Sequence, residues 1–213
     1  MESLLTNPIE LLFIVPTLLI AITVHEFAHA YAADRLGDPT PRSQGRLTLN
    51  PLAHLDPLGT IMLLLFRFGW GKPVQFDPYN LEKPRQDAAI ISFAGPGANF
   101  LMAIAASGIA HLSLSQNLNP LLTSFAILFI QYNLFLAVFN LIPVHPMDGG
   151  KILIGLLPRD TAYELDKTLN QYGFIILLAL ILPIFGRPLV WTILGPVLTI
   201  LMHFLIPNGT IFT

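Results

Sequence analysis

An all-α polytopic membrane protein is the fold class that three features of the sequence predict. Of 213 residues, 54% are hydrophobic and only 11% charged, against about 25% charged in an ordinary soluble domain. The apolar residues gather into runs long enough to cross a bilayer, which takes about 20 of them. Basic residues fall in alternate connections between those runs, the pattern that sorts loops to the cytoplasmic side. A net charge of -2 offers nucleic acid no basic footprint. The chain has no cysteine, so disulfides and thiolate metal sites are excluded.

The chain opens MESLLTNPIELLF, with acidic residues and no basic n-region, so no cleaved signal peptide is expected. Spans are predicted over residues 9–33, 88–112, 121–142, 173–185 and 189–206, about five in all. A shorter apolar run, 58–68, stops at Gly69-Trp70-Gly71. At about 11 residues it is too short to cross, so it is expected to be re-entrant. Arg35, Arg42 and Arg46 precede this run, and Lys72, Lys83 and Arg85 follow it. Both flanks then lie in the cytoplasm only if the run enters and leaves by one face. Residues 113–119 carry no Lys or Arg and fall outside, whereas Lys151, Arg159 and Lys167 fall inside. The N-terminus is therefore expected outside and the C-terminus in the cytoplasm, with Arg187 the exception. Residues 46–50 alternate as a strand would, and 73–76 do so weakly. A small sheet beside the re-entrant segment is one reading of that pattern and plain loop is the other. No linker or internal repeat divides the chain. A single domain, 1–213, is expected, with a catalytic core over about 9–155 and a C-terminal helical hairpin over about 170–207.

Chemistry concentrates in the first span. His25 and His29 are four residues apart, which places both imidazoles on one helix face, one turn apart. Glu26 lies beside them. The pattern H-E-x-x-H is that of two zinc ligands and a general base. Buried histidines bonded to neighbouring helices are the bland alternative. An ionisable residue at mid-bilayer costs roughly 2.5–3.5 kcal/mol on the lenient insertion scale, so three within five positions favour metal. A hydrolytic zinc site usually has three protein ligands plus water. Asp148 and Glu164 are the candidates for the third. Asp148 is preferred, because it follows an apolar span on the same side as the end of the first. Glu164 lies in the charged stretch RDTAYELDK, which reads as solvated surface.

HEFAHAYAADRLGD together with FNLIPVHPMDGG resembles the site-2 protease family of intramembrane zinc metalloproteases. GRLTLNPLAHLDPLGT and FAGPGANF resemble its compact bacterial and archaeal branch without a PDZ domain, which implies a prokaryotic source. The resemblance covers roughly residues 10–155. It implies one zinc ion held by His25, His29 and Asp148, with Glu26 as the catalytic glutamate. It further implies that Asn140 faces the active site and that His54 sits in the re-entrant region, both candidates for oxyanion donors. The substrates would be transmembrane proteins in the lipid bilayer of the cell membrane, with no nucleic acid involved. The oligomeric state is not legible. Val144-His145-Pro146-Met147 departs from the family pattern and makes His145 an extra titratable group beside Asp148. Gly95, Gly97, Ala98 and Asn99 are expected to let the second span approach the catalytic helices. Asn133 and Asn140, seven apart, share a face turned either to the metal or to a neighbouring helix.

Intramembrane His, Glu and Asp also build ion pathways, so a zinc or proton transporter is the second function class. Transporters are often duplicated, with paired broken helices, and no duplication is visible here. A catalytically dead scaffold would lack a ligand or the base, and none is missing.

Overall fold

The computed structural model describes residues 8–66, 69–183 and 186–206. The start of the chain (1–7), the end of the short apolar run (67, 68), the end of the fourth expected span (184, 185) and residues beyond 206 lie outside the described residues. Among the described residues eight α-helices follow one another: α1 (Pro8–Arg35), α2 (Thr40–Ser43), α3 (Pro57–Phe66), α4 (Pro84–Ser115), α5 (Pro120–Asn140), α6 (Asp148–Leu156), α7 (Arg159–Ile181) and α8 (Leu189–Leu205). Three of them, α1, α4 and α5, are long and apolar enough to cross a membrane. The last two expected spans are shorter in apolar length. α7 begins with the polar stretch RDTAYELDK and α8 has 17 residues.

Helix α4 is the centre of the bundle and packs on α1, α5 and α6. Its buried stripe is made of small residues, Ala103, Ala106, Ser107 and Ala110. Small side chains let helix axes approach where apolar burial gives no driving force between helices in lipid. Ile130, Leu134 and Val138 of α5 close one core with Val190, Leu194 and Leu198 of α8. Large apolar residues point outward instead, among them Leu101, Ile104, Phe174, Ile175 and Phe204. Such an exposed apolar surface suits lipid and would be a liability in water.

The short apolar run turns back on itself. A Cβ on Gly59 would stand 2.2 Å from the backbone oxygen of Trp70, so the chain returns to the level of residue 59 within a dozen residues. The expected sheet is reduced to one isolated antiparallel bridge, Leu55 to Gly71. Side chains explain the difference by taking the backbone groups that a ladder would use. The Arg46 guanidinium donates to the carbonyls of Ala53 and Lys72. The Asn50 side chain caps the 3-10 turn Pro51–Ala53, and Thr48 O accepts from His54 Nε2 at 2.8 Å. Backbone polar groups satisfied in this way need no strand partner.

Candidate metal centre

Three ligand atoms converge where α1, α4 and α6 meet. His25 Nε2 and His29 Nε2 lie 3.0 Å apart, and Asp148 Oδ2 lies 3.2 Å from the first and 3.3 Å from the second. Helical spacing brings the two imidazoles together, and the start of α6 delivers the carboxylate. A wall of backbone makes the approach possible, since a Cβ on Gly95 would stand 2.4 Å from His29 Nε2 and 2.8 Å from His25 Cε1.

The tautomers follow from the hydrogen bonds. His29 Nδ1 lies 2.7 Å from the carbonyl of Ile91, which can only accept, so the proton is on Nδ1. Asn99 Nδ2 donates to Ala21 O at 3.1 Å and to Asn133 Oδ1 at 2.8 Å, which leaves Asn99 Oδ1 as acceptor for His25 Nδ1 at 2.6 Å. Asn133 is fixed in turn by donating to Phe129 O. With the Nδ1 protons so placed, the neutral forms of His25 and His29 point Nε2 lone pairs at a carboxylate oxygen. Three such lone pairs about 3 Å apart repel one another unless a proton or a metal cation sits among them. Ligands on a tetrahedral ion with bonds of about 2.0–2.1 Å are separated by roughly 3.3–3.4 Å, close to the observed distances. The donor set, two neutral imidazoles and a carboxylate, with the second ring nitrogens held, fits zinc.

Glu26 stands beside this cluster with Oε2 accepting from Val74 N–H at 2.8 Å. The strand-like segment that carries Val74 is fixed at both ends. Lys72 N–H donates to His54 O at 2.8 Å, and Asp77 N–H donates to Asp38 Oδ2 at 2.8 Å. Asp38 is fully buried and also accepts from Thr40 N–H, Thr40 Oγ1 and Asn80 Nδ2. Burial alone would raise its carboxyl, but these donors outweigh burial and hold it below the usual range.

The remaining expectations are distributed around the cluster. Asn140, the last residue of α5, donates to Leu136 O on its own helix. His54 is wholly buried. Its Nε2–H is spent on Thr48 O, and Nδ1 has no partner among the described residues. Glu164 is exposed on α7, apart from the three ligand atoms. His145 pairs with Asp166 at 3.2 Å, not with the cluster. Gly97 faces only Phe93 of its own helix, so of the two glycines Gly95 alone makes the close approach.

Residues 73–76 form one wall of a cleft of about 1490 Å³, opposite Lys151, Asp160, Glu164 and Asp166. The ligand cluster does not line this cleft, whereas Val74, whose N–H meets Glu26, does. Lys151, three residues after Asp148, lays its ammonium on the Phe76 ring, 4.6 Å from the centroid. The lysine opens on the cleft, yet its crowded setting lowers the ammonium pKa against the attraction of Asp148 and Glu26. Sequence reasoning missed Lys151, Asn99 as a ligand-orienting amide, and Arg46 as anything beyond a loop charge. A polar residue one turn after Gly95 in an apolar span was the available signal for Asn99.

A family model described as Peptidase family M50 matches residues 107–182. YwhC of Bacillus subtilis (strain 168), which bears a zinc metalloprotease name, is 37% identical over 202 residues, 92% of either chain. Rip2 of Mycolicibacterium smegmatis, also with a zinc metalloprotease name, is 32% identical over 170 residues, 77% of this chain and 64% of its own. Zinc metalloprotease MJ0392 of Methanocaldococcus jannaschii is 29% identical over 190 residues, 86% of this chain and 45% of its own. No solved structure matches. The transporter reading finds no support among these relatives. The likeness to YwhC runs along 92% of the chain, and the chain belongs to peptidase family M50, the site-2 proteases.

Proposed function

We propose that this protein is an intramembrane zinc endopeptidase that hydrolyses peptide bonds within or near the transmembrane segments of other membrane proteins. The observation that carries this reading is the convergence of His25 Nε2, His29 Nε2 and Asp148 Oδ2 within 3.3 Å, with both Nδ1 protons engaged elsewhere and a second carboxylate, Glu26, alongside. His25, His29 and Asp148 would hold one zinc ion. When bound, zinc acts as a Lewis acid toward the scissile carbonyl and makes water nucleophilic near neutral pH. Glu26 takes the proton from that water and returns it to the departing amine. The Val74 N–H on one carboxylate oxygen leaves the other free for this exchange.

A peptide bond inside a membrane helix is shielded by its own hydrogen bonds, so the substrate must unwind first. Residues 72 and 74 turn their N–H groups inward, to His54 O and Glu26. Extended backbone alternates, so Pro73 and Gln75 present their polar groups to the cleft. An unwound substrate strand adds to that open edge and recovers its lost partners. Asn140 is the donor proposed for the developing oxyanion, after its amide turns from Leu136 O. His54 is the second donor proposed, after its N–H is released from Thr48 O. The cleft, the turn after α1 and the segment 69–83 are proposed to face the cytoplasm, with the N-terminus outside.

Purified protein in detergent should cut a single-pass substrate in or near its membrane segment. A chelator should stop the reaction and zinc should restore it. Glu26→Gln should keep its zinc and lose turnover by about 10²–10⁴-fold. Asp148→Ala should lose zinc and Glu164→Ala should retain it. Zinc retained by Asp148→Ala, or turnover retained by Glu26→Gln, would defeat the assignment.

A further inference from the structure

Arg46 is a buried charge to which the proposed hydrolysis assigns no role. It is 4% exposed, and no carboxylate is paired with it among the described residues. Burial lowers the pKa of its guanidinium, and the only opposing influence is the charge of Glu26. Burying a guanidinium is expensive unless its donors are well used. Here both arms of the fork go to backbone, Nη1 to Ala53 O and Nη2 to Lys72 O. Those carbonyls belong to two separate segments. Ala53 precedes His54, whose own carbonyl receives Lys72 N–H at 2.8 Å. Lys72 therefore has its N–H and its C=O both tied to the same inner side. Two residues on, Val74 turns its N–H to that side and donates to Glu26 Oε2 at 2.8 Å. The approach is tight, since a Cβ on Gly71 would stand 2.9 Å from Ile22 Cγ2 and 3.1 Å from His54 O.

We propose that Arg46 is a positioning residue for the general base: by clamping Lys72 to Ala53 it fixes the register of residues 72–74, so that Val74 N–H holds the Glu26 carboxylate in its working orientation. This rests on the endopeptidase reading and on Glu26 as its base. The clamp acts on the inner edge of the segment and leaves the outer edge, at Pro73 and Gln75, unchanged. Arg46 accordingly governs turnover and not substrate affinity.

The test is a double-substitution cycle in the full-length protein, with a transmembrane substrate and initial rates. Arg46→Gln removes the fork, and Val74→Pro removes the N–H in a segment already extended. Each should lower kcat by about 10- to 100-fold, the scale of a small misplacement of a reacting group, with KM changed by less than about 3-fold and zinc stoichiometry unchanged. Arg46→Lys, which keeps a donor and the charge, should regain part of the lost kcat. Should the Gln protein fail to fold, the cycle is run with Lys. Because both changes break one chain of contacts, the double variant should be no worse than the poorer single variant. Losses that multiply, a rise in KM at constant kcat, or loss of zinc would each overturn the role. Inactivity of the wild type toward every transmembrane substrate would count against the endopeptidase reading itself, a separate outcome.

Discussion

Replacing Gly95 by alanine should damage the metal site directly. The added methyl would stand 2.4 Å from His29 Nε2 and 2.6 Å from His29 Cε1, where ordinary contact begins at 3.4 Å. Either the ring or helix α4 must therefore give by about 1 Å. The ring is held by its Nδ1 bond to Ile91 O, on α4 itself. The helix is held by Asn99, one turn on, bonded to α1 and α5, and by close packing of Gly155 against Ala89. A displacement of that size is half of a metal–nitrogen bond of about 2.0–2.1 Å. Lost orientation of a ligand typically costs 10- to 100-fold in metal affinity, or about 1.4–2.8 kcal/mol, and we expect at least the upper end. Competition with a chromophoric chelator measures the affinity. Gly97→Ala is the control, since its Cβ meets only the Phe93 ring at 3.5 Å and a helical Gly-to-Ala change stabilises by up to about 1 kcal/mol. Wild-type zinc affinity in Gly95→Ala would mean that the α4 backbone is not the wall of this site.

Asn99→Leu removes the acceptor of His25 Nδ1 and the donor to Ala21 O and Asn133 Oδ1. Zinc affinity should fall about 10- to 100-fold and stability by about 1–3 kcal/mol, and turnover should recover at saturating zinc; titration with the same chelator reads the first effect. Asp38 has a depressed carboxyl, so its contribution to stability is complete above the ordinary carboxylate range and disappears as pH falls through the folded value. Asp38→Ala should accordingly cost stability at neutral pH and flatten the acid limb of a melting-temperature profile, and an unchanged acid limb would refute the assignment. Single cysteines at Gln44 and Lys83, both exposed in a chain without cysteine, should react with an impermeant reagent from the cytoplasmic face. Cysteine at Gln116, between α4 and α5, should react from the other face. Labelling of 44 and 83 from opposite faces would mean that residues between them cross the membrane.

The convergence of His25 and His29 was legible because helix periodicity alone places one over the other, and because apolar surroundings make three ionisable groups conspicuous. Asp148 was legible for a related reason: acidic residues are scarce near the ends of the apolar runs. Asn99 was not, since an amide inside a Gly- and Ala-rich helix segment looks like packing until its partners on α1 and α5 are in place. Arg46 served as a loop charge in the topology argument, and nothing in its neighbourhood of sequence announces burial. The alternation at 46–50 suggested a strand, but periodicity cannot tell whether carbonyls will be met by a neighbouring strand or by a guanidinium and an imidazole. The polar first half of α7 hid that helix for the same kind of reason, since hydropathy marks its apolar half alone.

The orienting chain from Asn133 through Asn99 to His25 ties the centre to more of the chain than its three ligands. Helices α1 and α6 supply the ligands, while α4 and α5 fix the ring of one of them. An ion at that junction is thus a cross-link among four helices, and binding and tertiary assembly are linked functions. Stability then depends on the free metal concentration by mass action, gaining about 2.7 kcal/mol when the metal is 100-fold above its dissociation constant. Without the ion, that cross-link is missing and the helices are joined there only by hydrogen bonds and packing. If the proposed centre is loaded as the protein inserts, metal supply would set how much folded protease accumulates, before any question of catalysis arises.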